Sequence, residues 1–151
     1  MNLTPNVTVE EFTATQHRNI NNDLPAVMLA TARATCEMVE RIRAVLSHLA
    51  GRDVPVLISS GYRCLELNRA VGSADSSDHV RAMAVDFKAP AFGTPFQIAS
   101  VLAPRVGELG VGQLIHEFGS WVHVSTRLPD KQINRIITIS KAGTDVGVLE
   151  V

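Results

Sequence analysis

Among the 151 residues, the side chains best suited to chemistry gather in two short segments. The first, Ser77-Asp78-His79-Val80-Arg81-Ala82-Met83-Ala84-Val85-Asp86, reads as a loop entering a strand over Ala82–Phe87. In such a strand Ala82, Ala84 and Asp86 share one face, and Met83, Val85 and Phe87 the other. A carboxylate among alanines is odd for a core and reasonable for a cleft, where small neighbours leave room for a ligand and an ion. His79 enters from the loop ahead of the strand. The second segment, Trp121-Val122-His123-Val124-Ser125, turns Trp121, His123 and Ser125 to one face and both valines to the other. Two neutral imidazoles and one carboxylate, His79, His123 and Asp86, make a zinc set that leaves a fourth position for water, as catalytic sites do. Taken singly, a strand histidine is more often a hydrogen-bonded structural residue. The two segments together argue for a metal.

These residues need a frame, and the chain is long enough to supply one as a single domain with its own core. It is 46% hydrophobic, too apolar for a disordered chain. Fourteen basic against fifteen acidic residues leave a net charge of -1, which offers no electrostatic footprint for nucleic acid or a membrane surface. No apolar run has transmembrane length. Cys36 and Cys64 form no C-x-x-C pair and read as small buried hydrophobes, with a single disulfide left open.

Residues 1–51 read as a helical part. Thr8-x-x-Glu11 is a capping box for a short helix carrying Phe12. Pro25 then opens a main helix whose stripe is Val27, Ala30, Ala34, Met38, Ile42, Val45 and Leu49, ended by Gly51. Residues 52–140 read as the sheet and metal site. Strands are expected over Val54–Ser60, Ala82–Phe87, Gln113–Glu117, Trp121–Arg127 and Arg135–Ser140, with two helical turns from Cys64 and a capped helix from Thr94-Pro95-Phe96-Gln97. A hairpin through Gly119 joins the third and fourth strands. The tail 141–151 carries no assignment. Short connections favour an α+β fold: a small, mainly antiparallel sheet with the N-terminal helices packed on it.

With these residues in place, the chain resembles zinc D-alanyl-D-alanine carboxypeptidases and related phage peptidoglycan endopeptidases. Ser77-x-His79-x-x-Ala82-x-Ala84-x-Asp86 is similar to their S-x-H-x-x-G-x-A-x-D signature, Ser60-Gly61-Tyr62-Arg63 to their S-G-Y-R segment, and Trp121-Val122-His123-Val124-Ser125 to their closing W-x-H-x-S. Leu67-Asn68 falls where the family has a short L-N helix. The resemblance runs from Glu11-Phe12 to about Arg127. It implies a fold shared with hedgehog-like and lysostaphin-like zinc proteins, with His79, Asp86 and His123 as Zn2+ ligands. Two positions depart: the signature glycine is Ala82, and Ser120 stands where several members carry an acid three residues before the last zinc histidine. The nearest carboxylate is Glu117, six residues before His123, a spacing that resembles hedgehog-type domains and some phage members.

The function this implies is zinc-assisted hydrolysis of a peptide bond in peptidoglycan stem peptides or cross-links, as carboxypeptidase or endopeptidase. Glu117 would be the general base, and Arg63 would stabilise the oxyanion or clamp a substrate carboxylate. Ser77 either binds substrate or shapes the loop before His79, and Trp121, the sole tryptophan, is either cleft wall or core anchor. His116 alternates with Glu117 and reads as structural or exposed. His17 has no partner in view, and Asp78 and Arg81 read as rim charges. The expected partner is a peptidoglycan peptide bound by a monomer. Met1–Thr8 lacks the basic and apolar regions of a secretory signal. The expectation is therefore synthesis in the cytoplasm and action on the cell wall, as a phage lysis or virion-associated protein. Two rivals stay open: a zinc-bearing module that binds wall or protein without cleavage, and a metal-free virion structural protein.

Overall fold

A computed structural model describes residues 1–151. A two-stranded ribbon, β1 (Asn2–Thr4) and β2 (Val7–Thr8), leads into the short helix α1 (Val9–Thr13). Thr8 caps this helix, its hydroxyl accepting from the Glu11 N–H, and Phe12 is fully buried. The expected reciprocal half of the box is replaced by a bond from the Thr8 hydroxyl to the Glu11 carboxylate. After a 3-10 turn comes α2 (Leu29–Ala50), closed by Gly51 at φ 69. Its buried face is Ala32, Thr35, Cys36, Met38, Val39, Ile42 and Leu46.

That face is rotated from the expected one. Met38 and Ile42 are buried and Val45 partly so, but Val27, Ala30, Ala34 and Leu49 face solvent. Alanines at three-and-four spacing mark two stripes almost equally, and packing chose the one carrying Cys36, Val39 and Leu46. Thr35 belongs to that face because its hydroxyl donates to the Ala82 carbonyl oxygen at 2.8 Å, which satisfies a buried polar group.

Six strands form the main sheet: β3 (Leu57–Ser60), β4 (Ala84–Lys88), β5 (Gln113–Glu117), β6 (Trp121–Ser125), β7 (Ile136–Ser140) and β8 (Gly143–Val146). Their order is β3-β4-β6-β5-β7-β8, antiparallel throughout except for the parallel pair β5–β7. The chain is α+β, as expected. Between the strands lie α3 (Leu65–Ala70), α4 (Pro95–Leu102) and α5 (Val106–Leu109), with α4 opened by the complete capping box at Thr94 and Gln97. Residues 141–151 are more than a tail: they add the edge strand β8, and the segment beyond it is tied to β5 and β7 through His116, Ile136 and Thr138. Cys36 and Cys64 are both free thiols.

The register sorts the sheet into two faces. Val85, Phe87, Leu114, Val122 and Val124 point into the 24-residue core shared with α2 and α4. Asp86, His123, Trp121 and Glu117 occupy the other face. Half the sheet makes the core; the other half is free for chemistry.

Candidate metal centre

Asp86 and His123 sit directly opposite each other on β4 and β6. His79 arrives from a 3-10 turn, Asp78–Arg81, capped by the Ser77 hydroxyl, which accepts from the His79 N–H. Ala82 ends this turn at φ 59, so it lies outside the strand in which alternation had placed it. Glycine adopts this left-handed conformation freely, and the signature that the segment resembles has glycine at this position. The turn delivers His79 beside Asp86: one ligand atom from each of His79, Asp86 and His123 falls within 4.8 Å of the others, and all three residues are buried.

The hydrogen bonding tests whether this set suits a cation. His79 Nδ1 lies 2.6 Å from the Gly61 carbonyl oxygen. A carbonyl only accepts, so Nδ1 carries the proton and Nε2 is the bare nitrogen. Nε2 faces Asp86 Oδ1 at 3.3 Å. Burial pushes the His79 pKa down in spite of the Asp86 charge, which keeps the ring neutral. A bare lone pair aimed at a carboxylate oxygen is repulsive until a cation sits between them. His123 Nδ1 meets the same Asp86 oxygen at 2.8 Å. Burial disfavours charge on His123, but Asp86 and then Glu117 outweigh it and raise its pKa. Burial likewise works against the Asp86 anion, yet the neighbouring imidazoles, His123 above all, hold its pKa below the ordinary carboxylate range. The donor set fits a metal, and zinc in particular, which takes imidazole nitrogen and carboxylate oxygen in four-coordinate sites.

Around the triad opens a cleft of about 530 Å³ whose lining includes Arg63, Ser77, Glu117, Phe118 and Trp121. The hairpin turn after β5 returns Glu117 to the site: Phe118 and Gly119 both have positive φ (56 and 64), and the Ser120 N–H closes on the Glu117 carbonyl at 2.9 Å. Glu117 Oε1 thereby stands 3.8 Å from His123 Nδ1. Burial, with Asp86 nearby, raises the Glu117 pKa against the lowering pull of His123 and Arg63. Glu117 lines the cleft and Ser120 does not.

Arg63 is held from three sides. Its Nε donates to Ser60 Oγ (3.1 Å), Nη1 to Asn68 Oδ1 (3.1 Å) and Nη2 to Asp86 Oδ2 (3.4 Å). Two of its five N–H donors remain for a ligand. Asn68 is fully buried and anchored in turn to the Ala74 carbonyl, so α3 acts as a bracket for the guanidinium. Ser77 shapes the loop and also lines the cleft. Trp121 is a cleft wall rather than a core anchor: it lies outside the core cluster and meets Phe118 at a tilt of 56°, with ring centroids 5.8 Å apart. Its indole N–H reaches no hydrogen-bond partner, although it lies near enough to Glu117 to favour the carboxylate slightly. His116 is structural, buried on the core face with Nδ1 on the Leu149 carbonyl.

Sequence reading placed Asp78 on the rim, and the structure corrects this. Asp78 is buried, accepting from Ser125 Oγ at 2.7 Å and Arg127 Nε at 2.6 Å. It ties the turn that carries His79 to the end of the strand that carries His123. Asn22 also went unnoticed. Buried beneath the site, it donates to the Thr13 and Tyr62 carbonyls and accepts from the Cys64 N–H, pinning the loop that presents Arg63.

Imidazole and carboxylate donors at the floor of an open cleft, with a second carboxylate and a tethered guanidinium over them, are the equipment of metal-dependent hydrolases. The sequence comparison agrees and is more specific: the chain belongs to the peptidase M15 family, whose model matches residues 5–125. That span holds the triad, Arg63, Glu117 and Trp121, and it ends at the last residue of β6. M15 peptidases are zinc-dependent metallopeptidases, and the buried triad is a set that can bind such a metal. No curated protein sequence matches the chain. No helix is long and apolar enough to cross a membrane.

Proposed function

We propose that the chain is a zinc-dependent peptidase that hydrolyses a peptide bond in peptidoglycan stem peptides or their cross-links. The observation that carries this reading is the bare Nε2 of His79 aimed at Asp86 Oδ1, with His123 Nδ1 on the same oxygen and Glu117 beside it. His79, Asp86 and His123 would hold the zinc, which when bound supplies Lewis acidity to polarise the scissile carbonyl and acidify water. Glu117 takes the proton of the attacking water and passes it to the leaving amine, a role its raised pKa favours. Arg63 turns its free N–H groups toward the charge that develops on the carbonyl oxygen, held ready by Ser60 and Asn68. Trp121 walls the substrate and limits water.

The likeness to phage endopeptidases supports action on a bacterial wall as a lysis or virion-associated protein. The test is mass spectrometry of muropeptides after incubation with zinc-loaded protein. Wild type should release defined fragments, while Glu117→Gln keeps its zinc and releases none. An unchanged muropeptide profile at full zinc occupancy would defeat the peptidase reading in favour of a binding module. His123→Ala that still retains stoichiometric zinc would defeat the ligand assignment.

A further inference from the structure

The cleft does not stop at the triad. Its walls at Arg63, Val71, Asp86 and Trp121 are shared with a second hollow of about 390 Å³, which continues between Ser59 and Ser60 of β3, the segment Ala14–His17 and Lys88. The triad therefore lies partway along a groove. One arm of a bound chain leaves past Gly72 and Ser73, the other past Trp121 toward Lys88.

Lys88 is the last residue of β4, two residues beyond Asp86. The two side chains share a face, with their Cα atoms about 7 Å apart. Carrying the β4–β6 register one pair past Phe87 and Val122 sets Lys88 opposite Trp121, which is itself paired with Glu117 on its other side. The order across the groove is thus ammonium, indole, carboxylate. Lys88 is exposed and makes no ion pair. Asp86 is the only acidic side chain in the hollow, and its oxygens already face two imidazoles and Arg63. Arg63 and Lys88 against Asp86 leave the lining with a positive excess, and the hollow is continuous with the triad cleft.

Chain geometry sets the register of the ligand. A peptide in extended form advances about 3.3 Å per residue, so two residues span the step from Asp86 to Lys88 and the flexible lysine stem covers a third. We propose that this hollow is a second subsite, taking a substrate arm that bears a free carboxylate two to three residues from the scissile bond, with Lys88 as its counter-ion. The proposal rests on the peptidase reading and extends it: the bond cut is internal, with chain on both sides.

Two synthetic peptides differing only in a carboxylate or a carboxamide at that residue provide the test. Binding to zinc-loaded protein is read from the fluorescence of Trp121, the only tryptophan in the chain. Wild type should bind the carboxylate peptide about two- to fivefold tighter, the size of one partly exposed charge pair. Lys88→Ala should erase the preference, Lys88→Glu should invert it, and Lys88→Arg should restore it. Equal affinities in wild type, or a carboxylate preference that survives Lys88→Glu, overturn the subsite. Lys88-dependent binding without cleavage supports the subsite while refuting the peptidase. Equal cleavage and binding of both peptides supports the peptidase while refuting the subsite.

Discussion

Replacing Asp78 with alanine tests how the metal-site loop is held. Asp78 is 7% exposed, and its two strong partners differ in setting. Ser125 is fully buried, so its hydroxyl would lose its only acceptor with no water to replace it. Such a stranded donor costs about 1–3 kcal/mol. Arg127 is 37% exposed, so its ion pair is screened and contributes about 0.2–1 kcal/mol. The sum is about 1–4 kcal/mol, a fall of about 2–16 °C in thermal midpoint for a chain of this size. Thermal unfolding of the metal-free protein, followed by circular dichroism, reads this directly. A Ser125→Ala and Asp78→Ala double-mutant cycle should return a coupling of about 1–2 kcal/mol. Because Asp78 precedes His79 and Ser125 follows His123 by two residues, zinc affinity should fall as well, by about 10–100-fold as for outer-shell partners generally. Asp78→Ala with a midpoint within about 1 °C of wild type would falsify the claim that this carboxylate is a structural tie.

Three further outcomes follow from the same structure. Glu117→Gln should lower kcat by about 10²–10⁴-fold. Burial raises the Glu117 pKa, so its ionised form opposes folding at neutral pH, and the metal-free variant should be at least as heat-stable as wild type; a clear drop in its midpoint would contradict this electrostatic account. Asn22→Ala removes three hydrogen bonds, one buried and two part-buried, and should cost about 2–3 kcal/mol, read by urea unfolding at unchanged m-value. Maleimide at pH 8 should label Cys64 alone in the native protein, since Cys36 is buried with its pKa pushed up to about 12; two labels without denaturant would contradict the packing of α2.

Local signals in the chain translate directly into structure. Thr8 and Thr94 cap helices because the bonds involved span three residues. Alternation along β4 and β6 is likewise local, which is why the convergence of Asp86 and His123 can be read in advance. What escapes sequence reading is contact over distance. Asp78 meets Ser125 and Arg127 across 47 and 49 residues, and Asn22 meets Tyr62 across 40. A charge beside Gly- and Ser-rich loop residues looks solvated until those partners are known. The face of α2 escapes for another reason: alanine stripes have little contrast, and the deciding contacts lie on other elements. β8 escapes because Gly143–Val146 is an exposed edge with no apolar alternation to mark it.

The backbone itself shows where the fold accepts strain. Ala82 and Phe118 are the only non-glycine residues with positive φ. One ends the turn that carries His79, and the other follows Glu117 directly. Each conformation costs about 1–2 kcal/mol and persists only where the surroundings enforce it. At Ala82 the enforcement comes from α2, through the bond from Thr35 to its carbonyl. At Phe118 it comes from β7, whose Ile139 carbonyl accepts the Phe118 N–H at 2.7 Å, and from the tilted contact of its ring with Trp121. In both places an element remote from the cleft fixes a turn inside it. A strand cannot bring two of its own consecutive residues to one face, so a compact triad with a neighbouring base needs turns that leave the regular lattice at defined points. The helix α2 and the strand β7 serve the chemistry in this way without touching a ligand.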